Sequence, residues 1–197
     1  NTPADESGSS GTVTETPGGS ETLPGGNEDK TMISWISNGY DKIIANGDVP
    51  KKPSNSHTVY MAKGESEGCQ ISLRSPEDMA GVTVEISAPE GLTASASIEK
   101  TQRIAGKRWP DGLLPLDKVK SFDLKSGETS TVYIKFRSSG STPAGDHKCT
   151  VTVKDGSGEA IVTAGITVHV WDFALDDGFA IESWIDIRME SLAKEYG

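Results

Sequence analysis

Residues 148–171 read KCTVTVKDGSGEAIVTAGITVHVW, and this stretch decides the fold. Two β-type runs, Lys148–Val153 and Ala160–Trp171, flank Asp155-Gly156-Ser157-Gly158, a cluster of turn residues that reads as a hairpin connection. Just upstream, Val132, Ile134 and Phe136 alternate with Thr131, Tyr133 and Lys135, the period of two that marks a strand with one buried face. Working outward, Met32–Ser37, Thr58–Ala62, Cys69–Leu73, Val82–Ala88 and Leu92–Ile98 have the same character. Asn38-Gly39, Asn46-Gly47, Pro50 to Pro53 and Pro89-Glu90-Gly91 punctuate them as turns. The segment between Ile98 and Thr131 reads as irregular. Eight strands with no helix among them predict an all-β fold, an antiparallel β-sandwich of immunoglobulin-like type spanning residues 31–175.

The flanks differ from this centre. Residues 1–30 are Gly, Ser, Thr, Pro and Glu with almost no large apolar side chains, a composition that cannot bury enough surface to offset its ordering entropy. They are expected to form a disordered linker, of the kind that follows the lipid-modified cysteine of exported lipoproteins. Residues 176–197 change character again: Phe179–Ile187 is β-like, and in Arg188–Tyr196 the residues Met189, Leu192, Ala193 and Tyr196 fall on one helical stripe. A strand followed by a helix after an all-β domain predicts the start of a truncated (β/α)8 barrel.

Net charge is −10, and half of it is local, because Asp5, Glu6, Glu15, Glu21, Glu28 and Asp29 face only Lys30 in the first thirty residues. An acidic chain disfavours nucleic acid and anionic membrane as partners. No apolar run is long enough to span a bilayer, so membrane attachment is expected only through an upstream lipid anchor. The expected location is extracytoplasmic, at the cell surface or secreted.

Cys69 shares strand parity with Ile71 and Leu73, and Cys149 with Val151 and Val153, so both thiols are expected to point inward. Two readings stay open: a disulfide bridging the sheets, or two buried free thiols acting as small apolar fillers. No metal site and no cofactor is expected, since His57, His147 and His169 are scattered and no Cys-x-x-Cys occurs.

Four segments carry a family resemblance: Glu65–Leu73 (ESEGCQISL), Trp109–Leu116 (WPDGLLPL), Ser126-Gly127-Glu128 through Thr142-Pro143-Ala144-Gly145-Asp146 to Val153, and Val168–Leu175 (VHVWDFAL). In that order they resemble the N-terminal domain of glycoside hydrolase family 123, over about residues 57 to 187. Asp146-His147 and Trp109 depart from the family pattern, which has Thr-Tyr and more often Tyr there. The resemblance implies a sandwich that precedes a (β/α)8 barrel, with a further small β domain after it. It implies a parent enzyme that removes terminal N-acetylgalactosamine, using the substrate's acetamido group as nucleophile and an adjacent Asp-Glu pair in assistance.

That pair would lie in the barrel. Asp5-Glu6 sits in the tail without a scaffold, Glu77-Asp78 and Asp176-Asp177 read as solvated acids, and no Gly-x-Ser-x-Gly elbow is present, so no catalytic residue is assigned. Gly64–Gly68 and Gly156–Gly158 lack the Lys-Ser/Thr of a phosphate loop. The candidate contact residues are, Asp111 apart, apolar. Trp109 and Asp111, on a loop, could stack and hydrogen-bond a sugar, whereas Leu113 and Leu114 favour packing against a neighbouring domain. Trp171 and Phe173 are expected to pack at the domain junction, Trp35 and Tyr60 to lie in the core, and His169 at the surface. The expectation is a non-catalytic accessory domain whose parent acts on glycans and whose own partner is the barrel. The alternative is a free-standing carbohydrate-binding or adhesion module.

Overall fold

The alternating segments become strands, and two sheets form from them. The computed structural model describes residues 31–175 apart from residue 105; the expected linker (1–30) and barrel start (176–197) lie outside the described residues. In chain order the elements are β1 (Ile33–Asn38), β2 (Ser56–Lys63), β3 (Ser66–Arg74), β4 (Met79–Ser87), β5 (Leu92–Ile104) and β6 (Lys107–Pro115). The one-turn helix α1 (Leu116–Val119) follows, then β7 (Phe122–Leu124), β8 (Thr129–Ser138), β9 (Gly145–Lys154) and β10 (Ala160–Ala174).

One sheet has the order β1-β3-β8-β5-β6 and the other β2-β10-β9-β4-β7. Their inner faces share one core, built from Cys69, Ile71 and Leu73 of β3, Val132, Ile134 and Phe136 of β8, Val151 and Val153 of β9, and Ile166, Val168 and Val170 of β10. Sealing each such side chain from water stabilises the fold by about 1.5–3 kcal/mol. The hairpin at Asp155 forms as expected. Asp155 Oδ1 accepts from Ser157 N (2.9 Å) and Glu159 N (3.0 Å), and Gly158 supplies the positive φ of 93° that the turn requires.

Three expectations need correction. The sandwich is not wholly antiparallel, because β2 runs parallel to β10, Thr58 opposite Thr167 and Tyr60 opposite His169. Hairpin logic fixes the sense of strands adjacent in sequence, and β2 and β10 are separated by the whole domain. The irregular stretch after Ile98 also contains regular structure: β5 continues to Ile104, and Trp109–Pro115 belongs to edge strand β6 rather than a loop. Pro110 is tolerated there because an edge strand need not donate on both sides. Asp111 is the extra residue of a bulge, since Lys100 faces Gly112 while Thr101 faces Pro110. Third, Tyr60 is not in the core. It alternates with Val59 and Met61, which take the inner face of β2.

The chain between β1 and β2 lies over the outer face of the first sheet. Gln70 Nε2 donates to the carbonyls of Asn38 and Asp41, both at 2.9 Å. Arg74 Nη2 reaches Gly47 O at 2.6 Å, and Thr129 N donates to Ala45 O at 2.8 Å. Under this cover Trp35, Gln70, Ser72 and Thr131 are buried although they face away from the main core.

Candidate functional site

The outer faces of the two sheets carry different chemistry. On β10, Val168 and Val170 point inward, so His169 and Trp171 point out. In the register Tyr60 and Asp146 lie on either side of His169, from β2 and β9. The three rings cluster: Tyr60 and Trp171 are nearly parallel at 20° with centroids 5.8 Å apart, and His169 meets Trp171 edge-on at 4.4 Å. His169 Nδ1 donates to Asp146 Oδ1 at 2.6 Å, and this bond holds the Asp146 carboxyl below its usual range.

Beyond Val170 the register shifts and burial stops alternating. Trp171 (45%), Phe173 (56%) and Leu175 (51%) are exposed together with Tyr60 (58%). Lys63 Nζ bonds Asp172 Oδ1 at 2.6 Å, and Leu175 N bonds Lys63 O at 3.1 Å, so the end of β10 is held beside β2 while its apolar side chains face solvent.

The first sheet carries a cleft. β5 and β8 pair from Leu92↔Ser138 to Ile98↔Val132 and then part, β5 continuing with β6 and β8 with β3. The parting leaves a cavity of about 330 Å³, lined by Glu99, Lys100 and Thr101 on one side and Thr129, Ser130 and Thr131 on the other, with Ile43, Ala45, Pro110 and Glu128 around the rim. Glu99 alternates with buried Ile98 and so faces the cleft side of the sheet. Its Oε2 is sealed from solvent with no hydrogen-bond partner among the described residues. Burial pushes the Glu99 carboxyl up to about 7, with Lys42 pulling it down and Asp111 pushing it further up. Lys42 Nζ donates to Asp111 Oδ1 (2.8 Å) and Pro110 O (3.2 Å), tying the covering segment to β6.

The sequence-derived candidates therefore fall into two places. Trp171 and Phe173 join Tyr60 and His169 at the end of β10, whereas Trp109, Asp111, Leu113 and Leu114 lie along β6. Trp109, Leu113 and Leu114 are exposed along this edge strand. The Asp111 carboxylate, about half exposed, pairs with Lys42 through Oδ1. Cys69 and Cys149 are buried, as their parity requires, and carry free thiols. Burial and the nearby Cys149 push the Cys69 thiol up to about 12, which makes it a poor nucleophile. Tyr60, Glu99 and Lys42 were not foreseen as functional residues. For Tyr60 the alternation with Val59 and Met61 was the available signal.

No family model matches the sequence, and no curated protein does. The fold does have a solved counterpart. A family 123 glycoside hydrolase from Clostridium perfringens, studied for glycolipid glycan hydrolysis, superposes with a TM-score of 0.58 at 12% identity, covering 73% of this chain. The present chain spans only 28% of that enzyme's length. A collagen-binding domain of the Erysipelothrix rhusiopathiae surface protein RspB matches at 14% identity and a TM-score of 0.32 over 53% of this chain and 41% of that one, a likeness too slight to carry an inference. At 12% identity the first likeness speaks for the fold alone.

Proposed function

We propose that this chain is the non-catalytic accessory domain of a bacterial glycoside hydrolase, an immunoglobulin-like sandwich that supports a catalytic barrel following it. The observation that carries this reading is the exposed group Trp171, Phe173 and Leu175 at the point where the chain leaves β10, with Tyr60 beside it. The Lys63–Asp172 pair and the Tyr60–Trp171 stack hold this group in place, and among the described residues its side chains stay exposed, which is what a docking seam needs. The likeness of the fold to part of a family 123 enzyme supports the same reading. The domain's contribution is mechanical: it covers one side of the barrel and sets its distance from the cell surface, to which the acidic N-terminal segment tethers it. The parent's substrates are glycans containing N-acetylgalactosamine.

Two measurements test this. The open reading frame around the chain should supply a lipoprotein cysteine upstream and, past Gly197, alternating strands and helices with an adjacent Asp-Glu pair. A stop codon after Gly197 would overturn the proposal. In the native polypeptide, Trp171→Ser with Phe173→Ser should lower the barrel's melting temperature while leaving the 197-residue chain unchanged. Equal melting of the native protein with and without the substitutions would reject the docking seam.

A further inference from the structure

The cleft between β5 and β8 is independent of the β10 seam, since it opens on the other sheet. Its floor is unusual for a sandwich. After Ile98↔Val132 the facing edges of two neighbouring strands no longer bond to each other, so peptide groups from residues 99–101 and 129–131 border a cavity. Part of this edge is closed, because Thr129 N donates to Ala45 O. The remainder is lined by Thr101, Ser130 and Thr131 and by half-buried Glu99, whose Oε1 is the carboxyl oxygen a ligand could reach, Oε2 being sealed. Ile43 and Pro110 add apolar surface on the rim.

We infer that this cleft is a binding site for a single neutral sugar ring. Three features match that chemistry. A sugar ring carries several hydroxyls, each both donor and acceptor, and so can bond Glu99 Oε1 and the hydroxyl- and peptide-bearing edge together. Its C–H faces are apolar and suit Ile43 and Pro110. The volume of about 330 Å³ lies at the small end of ligand sites, enough for one ring and too short for an extended oligomer. The charges also select. Glu99 and Glu128 against Lys100 leave the lining slightly acidic, which disfavours uronic and sialic acids. A strand from another protein fits poorly, because the segment Ile43–Ala45 closes the path along the split.

The test is a titration of the full 197-residue chain, isotopically labelled for amide NMR, with the methyl glycosides of galactose, glucose and N-acetylgalactosamine. A single ring held by a few hydrogen bonds should bind with a Kd on the order of millimolar. At least one glycoside should shift the amides of residues 99–101 and 130–131 saturably. At pH 8, Glu99→Gln removes the charged acceptor and should weaken binding about tenfold, as expected when a charge-assisted hydrogen bond becomes a neutral one. Trp171→Ala, on the opposite face, should leave it unchanged. The inference fails if no glycoside shifts these amides, if the shifts centre on Tyr60 and Trp171, or if Glu99→Gln binds as well as the parent. It fails equally if short peptides shift the cleft amides and the glycosides do not. Because Glu99→Gln removes a buried charge, the variant should fold at least as well as the parent, and its melting curve checks this directly.

Discussion

Replacing Glu99 by Gln should make the protein more stable at pH 8 and leave it unchanged at pH 4. Glu99 stands on β5 opposite Leu113, and burial raises its carboxyl from the ordinary 4.5 to about 7. A difference of that size corresponds to about 3 kcal/mol at 1.36 kcal/mol per pH unit. The carboxylate retains partial contact with solvent beside Lys42 and Asp111, and screening brings the net effect down to about 1–2 kcal/mol. The folded chain holds the Glu99 proton more tightly than the unfolded chain. This contribution to stability is therefore whole below pH 4.5, declines as pH rises toward 7, and is gone above it. Gln is uncharged throughout and nearly the same shape, so the difference between variant and parent isolates this one group. Urea unfolding at a series of pH values should show the gap opening across the window from 4.5 to 7. A difference that stays flat with pH, or a variant less stable at pH 8, would refute the burial of this carboxyl.

Other expectations follow from packing and from the thiols. A methyl group at Gly68 would lie 2.6 Å from both Tyr133 Oη and Ile134 O, so Gly68→Ala should destabilise the fold by about 2–3 kcal/mol in denaturant titrations. Phe136 is fully buried at the centre of the core, and Phe136→Ala should lose about 3–5 kcal/mol by the same assay. Cys69 and Cys149 should resist an aromatic disulfide reagent in the folded chain and release two thiols per chain in urea. No release in urea would show that the purified protein is bridged instead.

What the sequence discloses about this fold follows the range of each signal. Alternation at Val132, Ile134 and Phe136, and again from Lys148 to Trp171, is local, and the strands form where it points. β6 was illegible because Pro110-Asp111-Gly112 has turn composition; the same residues instead build a bulge on an edge strand, where a missing donor is harmless. The parallel pairing of β2 with β10 is set by the assembly of the sandwich, and nothing within either segment announces it. The surface group on β10 was half legible: parity placed His169 outward, and the same rule applied to Val59 and Met61 would have placed Tyr60 there too. Glu99 was not legible at all. Its burial comes from Pro110 and from residues near Ile43, more than fifty positions before it, brought alongside only when the chain between β1 and β2 lies across the sheet.

That covering segment gives the domain a handedness of use. With Gln70 and Arg74 gripping its carbonyls, part of the first sheet is thatched by the chain's own backbone. Anything that reaches Gln70 or Arg74 from outside must first tear those bonds away. The two broad sides of the domain thus differ in what they would present to a partner, peptide backbone on the one and ring side chains on the other.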